Sequence, residues 1–340
     1  MSSAPLPTLG SDDIGRDASW LAQALDPAEG IVRFIAMDRE AYRAASFLDD
    51  RMLQAPHDAQ LIPWPIVEQA TADKLHSDAR WIFHIGHVGS TLVSRLLGEI
   101  DNVLAIREPR LLRDLALSPA DVRSGYIGPI AKLMSRTFAP DEFACVKTTS
   151  FASEIAPELV PPGQRALFMY AAPRNYIASI LAGENSVLEL HALFPLRTAW
   201  MRQRGIDLPS TGNDAGLAAL AWATAMTALE AAAEGMPDRL IAWADFDAML
   251  LDMPAELARV AGFFGFCASE QQLRSIATGP LMARYSKAPE YDYSPALRGE
   301  LIAEASAAYW TEIDDALAML ARAAEKSSLL ARALTRAGEA

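Results

Sequence analysis

Residues 81–100, WIFHIGHVGSTLVSRLLGEI, constrain the fold more than any other part of this chain. The apolar, β-prone run at 81–85 predicts a buried strand of a parallel sheet. Gly86 and Gly89 predict a sharp turn in which the backbone can approach a ligand closely. Apolar residues then recur at helical spacing from Ser90 onward, which predicts a helix. The unpaired N–H groups and the dipole of such a helix point at one place, where phosphate is the usual ligand.

The composition narrows the class of protein. The chain has 340 residues, of which 51% are hydrophobic, enough for one large α/β domain or a domain with an extension. The net charge of −13 argues against nucleic-acid partners and against binding to anionic membranes. We identify no apolar run long enough to span a bilayer and no signal segment, so we expect a cytoplasmic protein. Cys145 and Cys267 lie in apolar contexts and are expected to be buried thiols.

Strands and helices alternate from residue 80 onward. Strands are predicted at 81–86, 103–107, 142–147, 166–171 and 239–243, and helices near 90–101, 121–138, 151–159, 174–184 and 214–234. This alternation predicts an α/β fold in which a parallel sheet forms the middle of three layers, with helices on both faces. Further helices near 254–265, 269–276 and 296–323 would pack outside it. The architecture expected for residues 80–325 is P-loop-like and nucleotide-binding, followed by a helical tail at 326–340.

Residues 1–79 are predicted to be an N-terminal extension. A loose tail at 1–13 precedes an extended segment at 31–37 and a helix at 39–53, and the Pro-rich stretch 56–65 is interpreted as a linker. The extension could be a lid, a dimer contact or a partner site, and the sequence leaves the oligomeric state open.

The loop after the first predicted strand lacks the Walker lysine, because no Gly-Lys-Ser/Thr follows its glycines. The string GHVGST followed by LVSRLL instead resembles the 5′-phosphosulfate loop of the sulfotransferase family, whose donor is 3′-phosphoadenosine 5′-phosphosulfate (PAPS). The resemblance implies that the donor is bound by Gly86, His87, Val88, Gly89, Ser90 and Thr91. His87 stands where the family has Arg or Lys. Any strand–turn–helix unit with a small-residue cap fits the loop alone equally well.

Glu108 follows the second predicted strand and comes 21 residues after His87, so it returns to the same edge of the sheet. The resemblance to the Golgi and tyrosyl-protein sulfotransferases implies that Glu108 is the catalytic base. A base is needed because a hydroxyl is a weak nucleophile until its proton is accepted. The alternative is a surface turn, Arg-Glu-Pro-Arg, whose charges pair with one another.

Lys147 ends the third predicted strand. It could stabilise the charge that develops on the sulfuryl oxygens or the leaving phosphate, and a lysine lies in the corresponding segment of the family. The next three residues, Thr148, Thr149 and Ser150, are better interpreted as caps of the following helix.

The fourth strand and the helix after it, 166–181, resemble the family's 3′-phosphate segment. Arg174 and Ser179 match that segment, together with Pro173 and Asn175, which implies that they bind the donor. Ala171, however, replaces the family's first phosphate-binding arginine. Losing one charged hydrogen-bond partner removes about 1.5–3 kcal/mol, or roughly ten- to a hundredfold in affinity. Another cation replaces it, the donor differs, or activity is lost.

A late polar loop is the candidate replacement. Its residues Arg284, Tyr285, Ser286 and Lys287 follow Gly279 and Pro280, and the family commonly brings a late basic loop over the nucleotide. The competing interpretation is a solvated loop.

His87 is expected to bind the phosphosulfate best when protonated. Activity would then fall as the pH rises through the pKa of His87, and protonation of Glu108 would limit the acidic side. The other histidines, including His84, show no metal-ligand spacing and are interpreted as structural.

These patterns together predict a PAPS-dependent sulfotransferase that acts on a hydroxyl or amine acceptor: a small molecule, a glycan or a lipid. No metal is expected, since protein cations and N–H groups can neutralise the donor. One alternative is a P-loop kinase-like phosphoryl transferase, which normally needs magnesium and the missing lysine. The other is a non-catalytic protein of this fold that binds a nucleotide or a sulfated ligand. The acceptor itself is not predicted, and Tyr176, Phe194 and Trp200 could line its pocket or belong to the core.

Overall fold

The computed structural model describes residues 9–72, 75–209, 212–287, 292 and 294–338. The strands in these residues form two separate sheets. They are β1 Trp20–Asp26, β2 Ile31–Ala36, β3 Ala59–Pro63, β4 Arg80–His84, β5 Val103–Arg107, β6 Phe143–Lys147, β7 Arg165–Tyr170 and β8 Leu240–Asp245.

The larger sheet is parallel, with the strand order β5-β6-β4-β7-β8. Residues of β4 and β6 are buried along almost their whole length, as expected for central strands covered on both faces. All five predicted strands are present, and each end lies within two residues of its predicted position. The predicted α/β fold with a parallel sheet flanked by helices is confirmed.

The α-helices of the described residues are mostly short. They are α1 Ser11–Arg16, α2 Arg39–Ala44, α3 Trp64–Thr71, α4 Ser90–Leu97, α5 Arg110–Leu117, α6 Ala120–Arg123, α7 Ile127–Leu133, α8 Ala156–Leu159, α9 Pro173–Leu181, α10 Glu184–Gln203, α11 Asp214–Glu234, α12 Phe246–Leu251, α13 Met253–Phe264, α14 Glu270–Ala277, α15 Pro295–Ala308, α16 Trp310–Ala324 and α17 Ser328–Arg336. Three 3₁₀ turns accompany them: Asp50–Gln54, Ser150–Ile155 and Pro280–Ala283.

Several predicted helices are interrupted. The helix predicted at 39–53 ends at Ala44, and residue 45 is extended. The Arg107 guanidinium donates to the carbonyls of residues 42, 43 and 45, which therefore bond to this side chain instead of to the N–H groups of a longer helix. The helix predicted at 121–138 is divided into α6 and α7 around Gly125, a poor helix former. The one predicted at 296–323 is divided at Tyr309. The one at 151–159 begins as a 3₁₀ turn.

The N-terminal residues form a small antiparallel sheet, β1-β2-β3. The prediction of a linker at 56–65 is wrong, because most of these residues form β3 and the start of α3. Most of the tail predicted at 1–13 lies outside the described residues, but α1 buries Ile14 completely. The buried guanidinium of Arg136 donates to the carbonyls of Ile14, Asp17 and Trp20. The extension therefore packs onto the larger sheet's domain through a shared core.

The helix α11 is long and apolar enough to cross a membrane by length and composition alone, contrary to the sequence expectation. In the structure, 83% of its most apolar window is buried inside the protein. Trp222 at its centre is fully buried, as in the core helix of a globular domain. Of the two cysteines, Cys145 is buried as predicted, whereas Cys267 is exposed, which corrects the prediction.

Candidate functional site

A cavity of about 600 Å³ lies at the carboxyl ends of β4, β5 and β6, where parallel sheets usually bind their ligands. Every predicted site residue except Arg174 lines it. Its lining includes Phe47, Arg51, His84, residues 86–91, Glu108, Arg113, Lys147, Phe151, Ser179, Glu189, Phe246, residues 284–287, Asp292 and Arg298.

The loop at 86–91 turns sharply between β4 and α4. Gly86, His87 and Gly89 all have positive φ angles, of 82°, 53° and 59°. A Cβ atom at position 89 would lie 2.0 Å from the ring of Phe246. Only glycine therefore fits at position 89, and the close approach of Phe246 fixes the loop against α12.

The side chain of His84 holds the beginning of this loop. Its Nδ1 accepts a hydrogen bond from the N–H of Gly86 at 2.9 Å, so Nε2 carries the proton and donates to the carbonyl of Thr148 at 2.9 Å. Burial, with the nearby charge of Lys147, lowers the pKa of His84 well below its ordinary value. The histidine is neutral, and it ties the loop to the segment after β6. The sequence-based interpretation of His84 as structural missed its place in the cavity.

The N-terminus of α4 presents unpaired donors to the cavity. No side chain caps this helix, and the N–H groups of Ser90 and Thr91 have no hydrogen-bond partner in the described part of the chain. The hydroxyl of Thr91 is also buried and without a partner there. Buried donors are rarely left unpaired in folded proteins. The arrangement therefore fits a ligand that accepts several hydrogen bonds, as an oxyanion does.

His87 is not the cation that the sequence analysis expected. Burial, and then the positive charges of Lys287 and Arg197, lower its pKa to about 3. In the ligand-free protein His87 is therefore neutral near physiological pH, whereas the sequence analysis expects its protonated form to bind the phosphosulfate. The ring contacts Tyr176 edge to face at 6.4 Å, which assigns Tyr176 to the core around the loop.

Glu108 and Lys147 form a buried ion pair at the ends of β5 and β6. The Lys147 ammonium donates to the Glu108 carboxylate, and the N–H of Glu108 donates to the carbonyl of Lys147 at 2.8 Å. Arg51 approaches the other carboxylate oxygen at 3.3 Å. Burial lowers the pKa of Lys147 to about 8, although the carboxylate opposes this shift. The alternative of a surface turn is ruled out for Glu108, whose side chain is only 15% exposed.

The late polar loop lies against the cavity, as predicted. Arg284, Tyr285, Ser286 and Lys287 all line it. Burial lowers the pKa of Lys287 below its ordinary value. Ser179 also lines the cavity, although its hydroxyl donates to the carbonyl of residue 176 at 2.8 Å.

Arg174 does not line the cavity, although the sequence analysis predicts that it binds the donor. Its guanidinium donates to Asp314 at 2.6 Å and lies over the ring of Trp310, because α16 packs beside α9. Ala171 is fully buried, and its carbonyl accepts a hydrogen bond from the Trp222 indole. Neither position places a cation in the cavity.

Arg298 of α15 supplies a cation that the sequence analysis missed. One guanidinium nitrogen donates to Asp247 at 2.5 Å, and the guanidinium lies 5.2 Å from the ring centre of Phe246. Its Nη2 atom is buried and has no partner in the described residues. Nothing in the local sequence marks this arginine, because only the packing of α15 on α9 brings it to the site.

The cavity gathers positive charge in an acidic protein. The lining contains three carboxylates, Glu108, Glu189 and Asp292, against six Lys and Arg side chains: Arg51, Arg113, Lys147, Arg284, Lys287 and Arg298. The whole chain carries a net charge of −13. The cavity therefore attracts anions that the remainder of the surface repels. The described residues hold no cluster of three or more His, Cys, Asp or Glu side chains that could bind a metal ion.

No protein-family model matches this chain, and no curated protein matches it. Among solved structures, the chain is similar to a sulfotransferase domain from the curacin biosynthetic pathway, with 12% sequence identity and a TM-score of 0.40. The similarity covers 72% of this chain and 97% of that domain.

Proposed function

We propose that the protein is a sulfotransferase that moves a sulfuryl group from PAPS to a hydroxyl or amine acceptor. One observation carries the proposal: the unpaired donors at the start of α4 face the same cavity as the Glu108–Lys147 pair. The first feature suits an oxyanion, and the second suits proton removal next to it.

The residues present fit the donor. The unpaired hydroxyl of Thr91 and the N–H groups of Ser90 and Thr91 would donate hydrogen bonds to the phosphosulfate oxygens. Arg298 would contact the second phosphate in place of the arginine that Ala171 replaces, since its Nη2 atom is free. Lys287 and Arg284 would add charge from the late loop. When bound, PAPS supplies the sulfuryl group and a phosphate leaving group.

Glu108 and Lys147 would act on the acceptor side. As the acceptor oxygen or nitrogen attacks sulfur, the Glu108 carboxylate takes the acceptor proton. The Lys147 ammonium holds the carboxylate in place and stabilises negative charge near the transferred group. Through its two hydrogen bonds, His84 connects the 86–91 loop to the segment after β6.

Ligand binding and turnover test the proposal. The purified protein is heated with PAPS, with adenosine 3′,5′-bisphosphate, with ATP and magnesium, or with buffer, and a panel of hydroxyl and amine acceptors is then assayed with PAPS. We expect the bisphosphate to raise the melting temperature, as any ligand specific to the native state does. We also expect transfer that Glu108→Gln lowers by about 10²–10⁴-fold without loss of bisphosphate binding.

The other candidates give different results in the same assay. If ATP with magnesium stabilises the protein and neither PAPS nor the bisphosphate does, the protein is a phosphoryl transferase. Stabilisation by the bisphosphate without transfer to any acceptor would indicate a binding protein. Two observations favour this second candidate: Arg174 does not line the cavity, and His87 is neutral.

A further inference from the structure

We propose that the acceptor is an anion: a hydroxyl compound whose carboxylate or phosphate is bound by Arg113 and Arg51. The inference rests on the proposed function, because it assigns the acceptor of that reaction. It also gives residues 1–79 a role, since the segment 47–51 forms one wall of the acceptor site.

The sheet order divides the cavity into two halves. The 86–91 loop follows β4, the middle strand, and Arg298 and Phe246 lie beyond it on the β7–β8 side. Glu108 follows β5 and Lys147 ends β6, on the opposite side. The half on the β5–β6 side, which we call the acceptor half, is therefore where the acceptor hydroxyl meets Glu108.

Arg113 brings a charge without a partner to the acceptor half. It lies on α5, directly after β5, and its guanidinium is 5.2 Å from the ring centre of Phe151. In the described part of the chain, no carboxylate pairs with it, whereas the other arginine of α5, Arg110, pairs with Asp50 and Asp114. The Arg113 side chain is solvent-exposed where it lines the cavity. A guanidinium in this position can bind a ligand's oxyanion through two hydrogen bonds, because its planar fork matches the two oxygens.

Arg51 is the second cation of this half, and it comes from the N-terminal extension. Its guanidinium lies 3.3 Å from the ring centre of Phe47 and reaches Glu108 at 3.3 Å. Arg51 also pairs with Asp49. Two guanidinium groups, each next to an aromatic ring, therefore line the half of the cavity that contains Glu108.

The wall formed by the segment 47–51 is firmly attached. The N–H of Leu48 donates to the carbonyl of Arg107 at 2.7 Å, and the Arg107 guanidinium donates to the carbonyl of Ala45 at 2.9 Å. Arg95 of α4 donates to the hydroxyl of Ser46 at 2.7 Å. Phe47 is buried. The extension thus contributes a fixed part of the site, and the carbon skeleton of the acceptor would contact Phe47 and Phe151.

Three matched probes test the inference: 4-hydroxybenzoate, 4-hydroxyphenyl phosphate and the uncharged methyl 4-hydroxybenzoate. Thermal shift is measured with each probe alone and with adenosine 3′,5′-bisphosphate, and kcat/KM is measured with PAPS. The proteins are the wild type, Arg113→Met, Arg113→Lys and Arg322→Met. Arg322 is an exposed arginine of α16 outside the cavity, and its replacement is the control.

We expect at least one anionic probe to bind the wild type and the control about tenfold or more tightly than the ester does, and to lose that advantage in Arg113→Met. Arg113→Lys should keep part of it, and bisphosphate binding should be unchanged in every variant. A wild type that treats the ester and both anions alike, or an Arg113→Met protein that keeps the preference, would overturn the inference. Failure of the proposed function looks different, because the bisphosphate would then stabilise none of the four proteins.

Discussion

His87 and Glu108 share a backbone conformation that side chains rarely adopt, with φ angles of 53° and 52°. They are the non-glycine residues with positive φ in the described part of the chain, and both line the same cavity. Such a conformation costs about 1–3 kcal/mol at each residue and persists where the surroundings enforce it. Strained backbone clusters at functional sites, so this shared geometry supports a ligand site between the two residues.

The strain at His87 can be measured by comparing two truncations. His87→Ala and His87→Gly both remove the imidazole, but only glycine adopts φ of 53° without strain. We expect the Gly variant to be more stable than the Ala variant by about 1–2 kcal/mol in urea unfolding. Arg322 in α16 serves as the control, because there the order reverses and Ala exceeds Gly by about 1 kcal/mol. Equal stabilities at position 87 would contradict the left-handed conformation.

Thr91→Val should change stability and binding in opposite directions. The Thr91 hydroxyl is buried without a partner, so its removal relieves a cost of about 1–3 kcal/mol in the ligand-free protein. The same change removes a donor to the bound oxyanion, which should weaken bisphosphate binding about tenfold. Ser94 is the matched control: its hydroxyl is also buried and unpartnered, on the same helix but outside the cavity lining. Ser94→Ala should stabilise the protein and leave binding unchanged.

A loss of binding in both variants would point to damage of α4 instead of a lost ligand contact. Denaturant unfolding and calorimetric titration of the bisphosphate distinguish the two cases. A Thr91→Val protein with unchanged affinity would remove this hydroxyl from the donor site.

The loss of activity at alkaline pH should result from deprotonation of the Lys147 ammonium. Burial places the pKa of Lys147 at about 8, so the ammonium form is present below that pH and is lost above it. Since kcat/KM reports the free enzyme, it should fall as the pH rises through about 8. A bound dianion favours the charged amine, so the corresponding fall in kcat should lie at higher pH.

Substitutions at Lys147 and His87 show which of the two residues causes the fall in kcat/KM at alkaline pH. Lys147→Arg should retain activity above pH 8, because a guanidinium stays charged. His87→Asn should leave the alkaline limb where it is, since His87 is already neutral there. An alkaline limb that disappears in His87→Asn would restore the histidine to the role that the sequence suggested.

The parallel sheet and most of the cavity could be predicted because they follow from local patterns. Each predicted strand is a run of apolar residues that ends in polar ones, and the glycines at 86 and 89 mark the loop directly. The ends of parallel strands lie at one edge, so Glu108 and Lys147 could be placed together from their positions alone. Twelve of the thirteen predicted residues that line the cavity are on such strand ends, on the loops and helix starts that follow them, or on the late loop; the other, Ser179, lies in the second half of α9.

The remaining contacts depend on packing that leaves no local signal. Arg298 reaches the cavity because α15 packs on α9, whereas Arg174 pairs with Asp314 of α16 outside the cavity. Phe47 and Arg51 reach it only because Arg95 and Arg107 hold the preceding residues against the sheet. The neutrality of His87 likewise results from burial beside Lys287, a residue 200 positions later.

Substitution of Arg298 and of Arg174 tests which of the two arginines binds the second phosphate of the donor. The sequence suggested Arg174, and the structure places Arg298 at the cavity. Arg298→Met should weaken binding of adenosine 3′,5′-bisphosphate about ten- to a hundredfold, because it removes the buried, unpartnered Nη2 atom from the β7–β8 side of the cavity. Binding of adenosine 5′-phosphate should change little, since that ligand lacks the second phosphate. Arg174→Met is the matched control: Arg174 also has a buried, unpartnered nitrogen, but it contacts Asp314 and Trp310 and does not line the cavity. This variant should bind both ligands as the wild type does. Calorimetric titration of both nucleotides gives the comparison. If Arg174→Met loses bisphosphate affinity and Arg298→Met keeps it, the second phosphate lies at the start of α9 and Arg298 only anchors α15.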